Sequence, residues 1–151
     1  MLYDIILGFI LLVGFVNGFK NGLASEIAGL LSLVIGIFVA FRFYEPLMPF
    51  VRNETIAIML TFITVYFVSS IVLGLILAPL IELPSNIGNQ MVSGLVGVVE
   101  MALFVGVVLY GMQHLPLIKS FLENSVIAGL IRDYGFPLIE LLIPLENRTA
   151  I

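Results

Sequence analysis

Four long apolar stretches, residues 2–19, 23–43, 56–81 and 91–112, leave this chain almost nothing with which to build a water-facing surface. A helix rises about 1.5 Å per residue and a bilayer's hydrocarbon is about 30 Å thick, so each stretch is long enough to cross it. A soluble helix keeps one polar face, whereas these are apolar all round. Lipid offers the backbone no hydrogen-bond partner, so a span must be a helix or part of a closed barrel. Unbroken apolar runs, lacking the alternation of barrel strands, select helices. Composition agrees: 61% of the residues are hydrophobic and 11% charged, against about 25% charged in ordinary soluble domains. The expected fold is an all-α integral membrane protein with four transmembrane helices.

Punctuation falls between the stretches. Asn17-Gly18 and Asn21-Gly22 bracket Lys20 and predict a tight reversal. Residues 44–54, with Pro46, Pro49 and Arg52, form the second connection; Pro79, Glu82, Pro84 and Gly88 mark the third, and Pro116 closes the fourth helix. Prolines thus collect at helix ends, where their missing N–H does least harm. Beyond Pro116 the pattern changes. Leu117, Ile118, Phe121, Leu122, Val126, Ile127, Leu130, Ile131 and Tyr134 recur at three- and four-residue spacing, with Lys119, Glu123, Asn124, Arg132 and Asp133 between them. That spacing predicts an amphipathic helix lying along the interface or against the spans, broken at Gly135-Phe136-Pro137. The apolar piece at 138–145 is too short to cross. The chain therefore divides into a four-helix transmembrane domain, residues 1–115, and an amphipathic C-terminal tail, residues 116–151.

Several chemistries lack their residues. With no cysteine there is no disulfide, thiol nucleophile or iron–sulfur ligand. The single histidine, His114, sits at a span end, where an interfacial role is expected, and cannot form an HExxH pair. Ser70 or Ser93 could be paired with it, but neither lies in a nucleophile elbow. The glycines lie inside apolar helices, without the Lys-Ser/Thr of a phosphate loop. No catalytic activity, cofactor or metal is expected. The net charge of −4 is thinly spread, and no basic cluster suggests nucleic acid. Met1-Leu2-Tyr3-Asp4 lacks a basic leader region, so the first apolar stretch is expected to be retained.

Glu100 is the charge that most needs explaining. An ionised group deep in a span costs about 2.5–3.5 kcal/mol on insertion scales. It reads either as a proton- or ion-responsive carboxylate in a hydrated pathway, or as a hydrogen-bonded glutamate at a subunit contact, with Ser93 or Tyr110 as candidate partners. No intramembrane Lys or Arg is available to it. Glu26, in the first turn of the second helix, is favoured there by the macrodipole, with Lys20 in loop reach. Asp4 fits an interface position. Small residues repeat at four-residue spacing in Gly14/Gly18/Gly22, Ser25/Gly29, Ser32/Gly36/Ala40, Ser70/Gly74/Ala78, Ser93/Gly97 and Ala102/Gly106. Such faces let membrane helices approach closely, either within one bundle or between subunits, and a homo-oligomer is the expectation.

These features together resemble the colicin V production protein family over nearly the whole chain. The resemblance is carried by Asp4, by the Gly18-Phe19-Lys20-Asn21-Gly22 turn with Glu26 after it, and by Asn89-Gln90, Ser93 and Gly97 at the start of the fourth span. The chain departs from the family pattern at Gln90, where arginine is usual, at Ser93, where glycine is usual, and at Glu100, where a basic residue is common. Orientation has two readings. Arg42, Arg52, Lys119, Arg132 and Arg148 share the side of the termini, opposite Lys20, which puts both termini in the cytoplasm; the family's basic residues imply instead that the first and third loops are cytoplasmic. The resemblance implies a multi-pass protein of the bacterial inner membrane that supports colicin V production or export and envelope homeostasis. An oligomeric pore-forming or accessory transport component is the leading expectation. The alternative is a non-conducting scaffold that binds a membrane-protein partner.

Overall fold

A computed structural model describes residues 2–79, 86–113 and 115–143. Glu82, Pro84, His114 and the end of the tail with Arg148 lie outside the described residues. The four apolar stretches are four helices long and apolar enough to cross a membrane: α1 (Leu2–Asn21), α2 (Leu23–Phe43), α4 (Glu54–Leu77) and α5 (Ile87–Met112). A short helix, α3 (Met48–Val51), lies in the second connection. The tail folds as α6 (Pro116–Asn124), α7 (Val126–Leu130), a π turn (Ile131–Gly135) and α8 (Phe136–Leu142). No strand occurs among the described residues.

Each boundary has a local cause. Only Gly22 separates α1 from α2, at φ 82°, ψ 170°, a conformation nearly closed to residues with a Cβ. Arg52 ends α3 in the left-handed region, and Asn53 then caps α4 by accepting from the Ile56 amide at 3.1 Å. Asn86 caps α5 in the same way through the Asn89 amide, at 2.8 Å. Inside the spans, Ser32, Thr61, Ser69 and Ser93 each donate to the carbonyl four residues earlier. This local bond satisfies a hydroxyl where lipid cannot. Among the described residues no buried side-chain nitrogen or oxygen lacks a partner.

The helices pair out of chain order. α1 packs along α5 and α2 along α4, while α2 and α5 join the two pairs at the centre. α1 and α2 diverge from Gly22, and α4 and α5 run alongside each other with little backbone contact. Lipid gives no hydrophobic drive to these contacts, so close van der Waals fit must supply it. Glycines let it happen. A Cβ on Gly14 would lie 2.7 Å from the Gly97 carbonyl oxygen, and one on Gly18 would strike the Ser93 backbone. Gly36 opens onto the Phe62 ring and Gly106 onto Ile131 and Ile139, whereas Gly74 has nothing within 4 Å.

The tail packs against the spans. Ala128, Ile131, Phe136, Ile139 and Ile143 are buried in the same core as Leu7, Ile37, Phe41 and Val107, filling the opening between α1 and α2 at the end remote from Gly22. The helix break falls at Ser125, which caps α7 through the Ala128 amide at 3.1 Å. At the expected break, Gly135-Phe136-Pro137, the chain instead stays helical. Pro137 lacks an amide and its ring crowds the carbonyl four residues back; the wider π turn just before it accommodates both.

Candidate functional site

Glu100 meets two side chains from other spans. Tyr66 of α4 donates its hydroxyl to Glu100 Oε1 at 2.5 Å. Glu26 of α2, only 5% exposed, shares a side-chain hydrogen bond with Glu100. The tyrosine hydroxyl thus meets one acceptor site of the Glu100 carboxyl inside the spans.

Three glycines make the room. Gly29, one turn after Glu26 on α2, has the Glu100 carboxyl in the place of its missing Cβ. Gly97 leaves 2.8 Å between its would-be Cβ and Glu26 Oε2, and Gly18 leaves 3.1 Å to the Glu26 carboxyl carbon. Larger residues at these positions would occupy the space the carboxyls now fill. Along α5 the pair lies about 10 Å from the Ser93–Gly18 contact and about 18 Å from Met112, nearer the Gly22 end of the bundle.

A cavity of about 270 Å³ reaches the pair. Asn17, Asn21, Ser25 and Ser70 line it toward the Gly22 end, and Glu26, Tyr66 and Glu100 line its depth. No lysine, arginine or histidine is among its lining residues. Beneath Glu100 the rings of Phe62, Tyr66 and Phe104 pack together, with centroids 5.6 Å apart for Phe62–Phe104 and 4.9 Å for Tyr66–Phe104. No group of three or more His, Cys, Asp or Glu side chains gathers among the described residues. The site brings two carboxyl groups and a phenol together from three helices, rich in oxygen acceptors and without a basic side chain among its lining residues.

The remaining candidates lie elsewhere. Ser93 is buried two turns from Glu100 and donates to the Asn89 carbonyl at 2.8 Å. Tyr110 packs edge-on against Phe136, centroids 5.1 Å apart. Glu26 turns into the bundle beside Glu100, while Lys20 points outward from the last turn of α1. Asp4 Oδ1 accepts from Ser125 at 2.9 Å and from the Ile127 amide at 3.1 Å, fastening the start of α7 to α1. Sequence reasoning missed Tyr66 and the asparagines. Their signal was present in Asn17/Asn21 and Tyr66/Ser70, polar pairs one turn apart that each put one polar stripe on an apolar helix.

A family model described as "Colicin V production protein" matches residues 3–135, from the start of α1 to the end of the π turn. No curated protein and no solved structure matches significantly.

Proposed function

The chain belongs to the colicin V production protein family, and from that premise we propose that it works as a proton- or cation-responsive component of transport across the bacterial inner membrane, in support of toxin export and envelope homeostasis. The observation that carries this reading is the Glu26–Glu100 pair, brought together within the spans and lining one cavity with Asn17, Asn21, Ser25 and Ser70. An intramembrane carboxyl is costly and is kept where a pathway or relay uses it. Two of them, with no basic residue lining their cavity, suit a site that trades a proton for another small cation. Gly74 on α4 has nothing within 4 Å, which leaves room for a second copy to approach there in a homo-oligomer, while Ser70 one turn earlier lines the cavity.

Reconstituted liposomes test the reading. Wild-type protein is expected to carry proton or monovalent-cation flux that falls to the level of empty vesicles in Glu100→Gln and Glu26→Gln. Each amide keeps the side chain's shape and removes its titration. Equal flux in wild type and both variants refutes the site.

A second reading has its own support. α1 and α4 present broad outward apolar faces, including Phe9, Leu12, Phe67 and Ile71, on which a partner transporter could dock. This non-conducting scaffold predicts no flux in any variant and co-purification with a membrane partner. Native mass spectrometry showing only monomer in mild detergents would count against the oligomer in either reading.

A further inference from the structure

The seam between α4 and α5 holds a second cavity, of about 340 Å³, lined by Thr55, Ile56 and Met59 of α4 and by Gly111 and Met112 of α5, with Leu115 just beyond. It lies toward the Met112 end, whereas the cavity above the carboxyl pair lies toward the Gly22 end and is lined by Tyr66, Phe67 and Ser70 of α4 and Gly97, Glu100 and Phe104 of α5. The two therefore follow one another along the same antiparallel pair of helices. Between them stands the packed cluster of Phe62, Tyr66 and Phe104. From Met59 to Tyr66, and from Gly111 back to Phe104, each separation is about 10 Å of helix.

We propose that this seam is the permeation route, with the two cavities as its opposite vestibules and Phe62, Tyr66 and Phe104 as the seal between them. The inference rests on the carboxyl pair being the working site. Two features of the seam support it. α4 and α5 have little backbone contact, so a gap here costs few packed atoms. The seal is also chemically tied to the site, because Tyr66 is both a ring of the cluster and the donor to Glu100. Releasing that bond frees the Tyr66 hydroxyl and removes one constraint on its ring. Carboxyls above and apolar rings below suit protons or small monovalent cations, and exclude anions.

The chain has no cysteine, so single substitutions report water access without background. Ser70→Cys reports the upper vestibule, Asn21→Cys its mouth and Thr55→Cys the lower vestibule. Each full-length variant is labelled with a membrane-impermeant maleimide in right-side-out and in inverted vesicles of an expression host. Ser70→Cys is expected to label from the same face as Asn21→Cys, and Thr55→Cys from the other face only. Adding Phe104→Ala to Ser70→Cys should raise labelling from the far face from background to the rate seen from the near face; Phe104→Leu, which preserves more packing, should do so in part. Labelling of Ser70→Cys from the Thr55 face or from neither face in the unaltered seal overturns the vestibules. Labelling that stays one-sided in both folded Phe104 variants overturns the seal. These outcomes do not depend on flux, so a carboxyl-dependent flux with failed labelling leaves the site and removes the route.

Discussion

Replacing Gly14 by alanine tests whether α1 and α5 are held by direct backbone contact within one subunit. The added methyl would lie 2.7 Å from the Gly97 carbonyl oxygen and 2.8 Å from Met101 Cβ, where ordinary contact begins at 3.4 Å. The helices must therefore separate by about 0.7 Å at this point, the difference between those distances. Neither obstacle can swing aside, since one is backbone and the other is a side chain's first atom. Overpacking of this kind costs about 1–3 kcal/mol, against which alanine's better helix propensity returns roughly 0.5–1 kcal/mol. The net expectation is a loss of up to about 2.5 kcal/mol, read by equilibrium unfolding in mixed detergent–SDS micelles. Gly74→Ala is the control. It has open space around it, so only propensity acts and the variant should be neutral or slightly more stable. Equal losses in the two variants would refute the reasoning. A loss in Gly74→Ala alone would show that the exposed α4 face, and not the α1–α5 seam, is the packed one.

Asp4→Ala removes the acceptor for the Ser125 hydroxyl and the Ile127 amide. Faster hydrogen exchange over residues 125–143 with α1 unchanged is expected; unchanged protection there refutes the fastening role. At the far end of α2, the Tyr44 hydroxyl donates to Glu54 at 2.7 Å, and that bond raises the phenol's pKa above its usual 10.0. The bond is complete below pH 10 and is lost as pH climbs through the raised value, because only the protonated phenol donates. Glu54→Gln should bring the titration back down, seen as an earlier rise in tyrosinate absorbance; a superimposable curve refutes it.

The spans were legible because lipid imposes one strict rule, that a long apolar run must satisfy its own backbone, and α1, α2, α4 and α5 obey it. The reversal at Gly22 and the prolines at helix ends followed from backbone sterics in the same way. The tail was legible only in part. Its three- and four-residue spacing announced a buried stripe, but spacing cannot distinguish a lipid interface from the gap between α1 and α2 as the place where Ile131 and Ile139 are buried. The break at Ser125 was hidden because a serine flanked by Asn124 and Val126 is an unremarkable cap in sequence. Partners were least legible. Glu100 stood out, yet its bonds to Glu26 and Tyr66 span three helices whose neighbours are not those of chain order.

The glycine pattern and the carboxylates turn out to share one cause. Small residues at four-residue spacing were readable as surfaces for association, and in Gly14 and Gly18 they are that, for α5 of the same chain. Gly29 and Gly97 do something further. The absent Cβ of Gly29 is where the Glu100 carboxyl lies, and that of Gly97 borders Glu26 Oε2. The same close approach that lets α1, α2 and α5 pack without a hydrophobic drive therefore leaves, between backbones, a space lined by amide-bearing helix surface and just large enough for two carboxyls. In that space the two carboxyls come together, with the Tyr66 hydroxyl on Glu100. A methyl at Gly29 would have to displace Glu100 from both of its partners, while leaving the α1–α5 contact at Gly14 untouched. Assembly and site are thus separable by substitution even though one spacing encodes both.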